Sequence, residues 1–78
     1  MKSGQFLKQE RIKRNLTQDD VAKKLHVNPQ FIYAIESGRS PIPYKQVKRL
    51  CKVLKLNQTY LISLIMNELL DDAKSRTK

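Results

Sequence analysis

The chain has no tryptophan, one cysteine, two glycines and three prolines in 78 residues. Each scarcity excludes something. A lone cysteine, Cys51, cannot close an internal disulfide, so the fold stands without a covalent staple and a reducing cytoplasm is the expected setting. So few glycines and prolines leave little material for turns, which favours regular elements. One histidine, His26, and one cysteine in separate segments leave no metal cluster, no Ser-His-Asp arrangement and no Gly-rich phosphate loop to argue over. No apolar run approaches the ~18 residues of a membrane span, and Met1-Lys2-Ser3 leads into no signal-peptide hydrophobic region. A chain this short buries only about 60% of its unfolded surface, too little core to wall a deep catalytic pocket. The expectation is one binding domain: not an enzyme, and without cofactor, metal, small-molecule ligand or membrane partner.

Acids are scarce too. Seven Asp and Glu face sixteen Lys and Arg, for a net charge of +9. Between Ser37 and Asn67 there is no acid at all, while Arg39, Lys45, Lys48, Arg49, Lys52 and Lys55 fall there. That balance implies a polyanion partner, nucleic acid before an anionic membrane surface. The competing reading is a solvated face that merely keeps a small protein soluble, and charge alone does not decide between them.

What the chain does have is an apolar period of 3 to 4 throughout, which predicts an all-α fold of five helices. Residues 4–14 form the first, with Phe6, Leu7 and Ile12 as its apolar positions and Asn15 where it stops. Thr17 is an N-cap with Asp20 three residues on, opening a helix over 18–25 whose apolar face is Val21, Ala22 and Leu25. Asn28-Pro29 starts the next, Phe31, Ile32 and Ile35 form its buried stripe, and Gly38 ends it. Ser40-Pro41-Ile42-Pro43 reads as an extended link. Tyr44, Val47, Leu50, Cys51 and Leu54 mark a fourth helix, and Asn57 caps a fifth over 58–70. The domain is expected over 1–70, followed by a flexible polar tail over 71–78.

The helices at 18–25 and 29–37 are separated by His26-Val27-Asn28, which is helix-turn-helix spacing. Ala22 sits where the second helix must cross closely, and His26 holds a turn position that calls for positive φ, where His is tolerated. On the residues Leu16-Thr17-Gln18-Asp19-Asp20-Val21-Ala22 and Val27 through Arg39, the chain resembles the helix-turn-helix family of phage repressors and Cro. These XRE-like regulators have restriction–modification controller proteins and antitoxins among their relatives. The resemblance runs from about Gly4 to Leu56 and implies a five-helix, lambda-repressor-like domain that binds double-stranded DNA, usually as a homodimer.

The resemblance places Pro29, Gln30, Tyr33 and Ala34 on the outward face of a recognition helix that enters the major groove. Gln30 is the strongest candidate for direct reading, since its amide can donate and accept together on adenine. Tyr33 could meet a thymine methyl or a phosphate, and Ala34 offers apolar contact. Pro29 reads nothing by hydrogen bond, so part of the specificity is expected from DNA shape. Candidates for phosphate contact are Gln18, Asn28, Arg39, Ser40, Lys45, Lys48 and Arg49, with Lys13 and Arg14 weaker; Lys52 and Lys55 read as solvated charge. In this family an arginine of the first helix often pairs with a glutamate ending the recognition helix, and Arg11 and Glu36 match those positions.

The fifth helix carries Tyr60, Leu61, Ile62, Leu64, Ile65, Met66, Leu69 and Leu70, more than one core-facing stripe needs. A twofold dimer through Leu61, Ile62, Ile65, Met66 and Leu69 is the economical cover. The expected function is a cytoplasmic, nucleoid-associated transcriptional regulator, a repressor before an activator that would touch RNA polymerase. The alternative is an antitoxin whose fifth helix or tail grips a toxin protein.

Overall fold

Local capping chemistry decides where the helices begin and end. The computed structural model describes residues 2–76, with side chains through residue 71. Among these residues there are five helices and no strand: α1 Ser3–Lys13, α2 Gln18–Leu25, α3 Pro29–Ser37, α4 Tyr44–Leu54 and α5 Gln58–Arg76. Thr17 Oγ1 accepts from the Asp20 N–H at 3.0 Å while Asp20 accepts from the Thr17 N–H at 2.8 Å, a full capping box. Asn28 Oδ1 accepts from the Gln30 N–H at 2.9 Å, with Pro29 at the first helical position, and Asn57 Oδ1 accepts from the Tyr60 N–H at 3.0 Å. At the other ends, Asn15, His26, Gly38 and Lys55 all take left-handed backbone, which releases the chain from each helix.

The apolar stripes then meet. Leu7, Val21, Ala22, Leu25, Ile32, Ile35, Val47, Leu50, Cys51, Leu54 and Leu61 form one buried cluster fed by all five helices. Truncating one of its leucines to alanine costs about 2–5 kcal/mol, a large share of so small a domain's stability. Ile42, in the link before α4, is buried too and pins that link to the core. Phe6 and Tyr60 meet edge to face with centroids 5.0 Å apart, joining α1 to α5. Gly4 allows the closest approach: a Cβ there would lie 2.2 Å from the Ile35 carbonyl oxygen, so only glycine lets α1 rest on the last turn of α3. The Ser3 backbone N–H at the start of α1 donates to Glu68 of α5.

Several expectations change. Ile12 is exposed, because it lies five residues, about 140°, round the helix from Leu7. Tyr44 is 79% exposed, opening α4 beyond the edge of the core instead of belonging to its stripe. Leu61 is fully buried in its own chain and has no surface to offer a dimer partner, so it leaves the set of interface candidates. Helix α5 runs on to Arg76, six residues past its expected end at Leu70, since residues 71–76 contain no glycine or proline to stop it. Most of the expected flexible tail is therefore helical backbone, and residues 77–78 lie outside the described residues. With that long helix the molecule measures 41 × 24 × 22 Å.

Candidate nucleic-acid interface

The turn between α2 and α3 is built from two hydrogen bonds and one unusual residue. The His26 N–H donates to the Lys23 carbonyl at 3.3 Å and the Val27 N–H to the Ala22 carbonyl at 3.0 Å. His26 stands at φ 58°, ψ 43°, the left-handed conformation anticipated for this position. Ala22 is buried, and its short side chain lets α3 cross closely over α2. Ile32 and Ile35 turn into the core, which leaves the opposite side of α3 without packing duties.

That side carries the candidates for base contact. Pro29, Gln30 and Tyr33 are exposed and Ala34 is half-buried, so the four share one outward strip. The Arg39 guanidinium lies 5.6 Å from the Tyr33 ring centroid, close enough for a cation–π contact that steadies both side chains. Arg39 and Ser40 leave the C-terminal end of α3 with their backbone N–H groups bonded to the Ala34 carbonyl at 3.0 and 3.2 Å. Their side chains are exposed, as are Lys45 and Lys48 of α4.

Behind the strip, a polar network sets the angle of α3. Arg11 Nε donates to Glu36 Oε2 at 2.7 Å and Nη2 to Oε1 at 3.1 Å, a two-point fork. Arg11 Nη1 donates to the Leu16 carbonyl at 2.8 Å, and Gln18 Nε2 donates to Glu36 Oε1 at 3.1 Å. Helices α1, α2 and α3 are thus tied through one carboxylate. The side chains of the ion pair are only 10% and 5% exposed, so Glu36 is both neutralised and screened from an approaching polyanion.

Three of the candidates make internal hydrogen bonds. Gln18 turns one amide N–H inward to Glu36, and the adjoining Asp19 and Asp20 oppose an anion at that helix end, so Gln18 serves first to brace α3. Arg49 Nη2 donates to the Leu25 carbonyl at 2.6 Å, closing the C-terminal end of α2 and holding α4 to it. Arg14 bonds Glu10 at 2.9 Å along its own helix. Asn28 keeps its backbone position at the start of α3, although its side-chain oxygen is taken by the cap. Sequence reasoning missed Gly4, Ile42 and the Leu25 contact of Arg49. Gly4 alone left a trace, since a glycine inside a helical pattern signals close packing.

Among the described residues, Glu10, Asp20, Glu36 and Glu68 accept internal hydrogen bonds, and the net charge of the chain is +9. The Thr17 backbone N–H, then its hydroxyl, holds the Asp20 carboxyl below the ordinary aspartate range. Burial pushes the Cys51 thiol up, which disfavours the reactive thiolate.

Against this geometry, a family model described as helix-turn-helix domain matches residues 4–65. The chain belongs to the helix-turn-helix domain family. No curated protein and no solved structure matches it. The matched span covers the helix-turn-helix pair together with α4, nearly all of α1 and the first part of α5. Membership in the helix-turn-helix family points to DNA binding and transcriptional regulation, and such domains are typically binding modules and not catalysts. Among the described residues, no helix is long and apolar enough to cross a membrane, and no group of His, Cys, Asp and Glu could hold a metal.

Proposed function

We propose that this helix-turn-helix protein is a sequence-specific transcriptional regulator that binds a pseudo-palindromic operator as a homodimer and represses by occupying it. The observation that carries the reading is the exposed strip Pro29, Gln30, Tyr33 and Ala34 on a helix whose other side is locked by core packing and by the Arg11–Glu36–Gln18 network. A reading helix must be both exposed and rigid, because base contacts discriminate only when the donor and acceptor are held in place. Gln30 supplies paired donor and acceptor, Tyr33 an apolar face, and Arg39, Ser40, Lys45 and Lys48 grip phosphates around it.

The dimer is the reading of α5. Met66, Leu69 and Leu70 are 56%, 63% and 58% exposed, and Ile62 and Ile65 are half-buried beside them. A contiguous apolar strip of this kind on a charged domain is an interface. Met66 and Leu69 with the free edges of Ile62 and Ile65 meet their twofold copies, and two α3 helices then reach major grooves one turn, roughly 34–36 Å, apart.

Selection of bound sites from random duplexes, combined with sedimentation of the protein alone, tests this. The expected result is a symmetric site with half-site centres one helical turn apart and a stable dimer. Gln30→Ala then relaxes preference at one base pair in each half-site. A selected pool with no shared sequence refutes specific reading. A monomer that copurifies with a second protein in fixed ratio assigns α5 to a toxin partner instead.

A further inference from the structure

Lys45 and Lys48, already proposed to grip the recognised site, begin a row of cations on α4 that runs past it. Lys45, Lys48, Arg49 and Lys52 are all exposed and fall within a 100° arc of the helix, opposite the buried Val47, Leu50 and Leu54. Lys55 continues the row at the helix end. Lys24 of α2 lies against it, since Lys24, Arg49 and Lys52 line one surface hollow with Leu25 and Val53. There is no acid anywhere on α4.

A merely solubilising surface does not look like this. Solvated helix faces mix signs, as Glu10 and Arg14 do on α1. On α4 like charges stand three and four residues apart, an arrangement that destabilises a helix. Complementing the helix dipole explains Lys52 in the last turn, but Lys45 sits in the first turn, the positive end, where a cation is disfavoured.

We infer that Lys24, Lys52 and Lys55 extend the protein's phosphate contacts onto duplex DNA flanking the site read by α3. The row starts with Lys45 and Lys48, the phosphate contacts proposed for the recognised site, and continues along the same face of α4, so it is no isolated patch. Arg49, fastened to the end of α2, holds the middle of the row in place. The contact is independent of sequence and lengthens the footprint.

The inference rests on the DNA-binding reading, and the test separates the two. Affinity is measured for two duplexes, one ending at the edges of the selected site and one extended by 15 base pairs on each side, for the parent and for the triple variant Lys24→Ala, Lys52→Ala, Lys55→Ala. The parent gains at least fivefold from the extension and the triple variant does not. On the long duplex the variant's salt dependence is shallower by about 5 in log–log slope, three lysines being lost from each of two protomers, and on the short one it is unchanged. The triple Lys→Arg variant keeps the gain, and Gln30→Ala keeps it while losing sequence preference. A parent that binds both duplexes equally, or a triple variant that keeps the gain, overturns the flanking contact and leaves the reading of α3 standing. A parent that binds no duplex overturns both.

Discussion

Replacing Arg11 by methionine removes every cationic partner of a carboxylate that is 5% exposed. Three hydrogen bonds go with it: two to Glu36 and one to the Leu16 carbonyl. Glu36 keeps only the Gln18 amide. Breaking one side of a buried pair costs about 3–5 kcal/mol because the surviving charge is stranded. At about 0.05–0.15 kcal/mol per residue the whole domain holds roughly 4–12 kcal/mol, so this one change removes a quarter or more. At about 4–8 °C per kcal/mol for a domain of this size, the melting temperature falls by at least 12 °C. Urea denaturation followed by far-ultraviolet circular dichroism reads the change as a lower midpoint at unchanged slope. The double variant Arg11→Met, Glu36→Leu decides the mechanism. With no charge left to strand, it returns to within about 1–2 kcal/mol of the parent, short of full recovery because the Leu16 carbonyl has lost its donor. An Arg11→Met loss below 1 kcal/mol would mean that the pair behaves as a solvent-screened surface bridge, and the account of how α3 is held would be wrong.

Further changes probe the rest of the frame. Gly4→Ala should destabilise the protein despite alanine's helix preference of about 1 kcal/mol, because the new methyl meets the Ile35 carbonyl; thermal melting that shows a stabilised variant would contradict that contact. His26→Gly should raise stability by about 0.5–1 kcal/mol by relieving left-handed strain, read from the urea midpoint, and equal or lower stability would show that the histidine sits there without cost. Thr17→Ala should lose about 1 kcal/mol of capping. Asp20 has a folded pKa below its unfolded one, so the unfolded chain binds more protons there and stability rises with pH. Its contribution is therefore present above the ordinary aspartate range and lost as pH falls through the depressed value, and Asp20→Asn should flatten the acid limb of the stability–pH curve. Cys51 should resist thiol reagents in the native protein and react only on unfolding, and rapid native labelling would contradict its burial.

The helix-turn-helix pair was legible because its determinants are local. Thr17 with Asp20, Asn28 with Pro29, and Gly38 each act within one turn of the backbone, and the structure starts and stops α2 and α3 at the residues those caps predict. The outward position of Gln30 and Tyr33 was what the family resemblance implied, and both are exposed. What stayed hidden depends on where other helices arrive. Whether Leu61 or Met66 faces the core is fixed by the approach of α4 and α1, and apolar residues around most of the helix leave its rotation open. Arg49 looked like surface charge because its partner is a backbone carbonyl 24 residues away, which carries no side-chain signature. Ile42 was obscured by the prolines on either side of it, which describe the path of the link and not its depth.

The same long-range contacts explain how so small a domain can hold a reading helix still. Helix α3 contributes only Ile32 and Ile35 as fully buried side chains, too few to fix both its tilt and its rotation. Helix α1 supplies the missing constraints along its length. Its first turn rests through Gly4 on the Ile35 and Glu36 carbonyls, and its last turn reaches back through Arg11 to the Glu36 carboxylate. Two fixed points on one partner stop a helix from pivoting, where a single point would not. The start of α1 is itself tied to α5 through the Ser3 N–H and Glu68. The helix with the exposed apolar strip and the helix with the exposed polar strip are therefore joined by one intervening rod. A change in α5 that displaced Glu68 would reach α3 through the one close contact that tolerates no side chain.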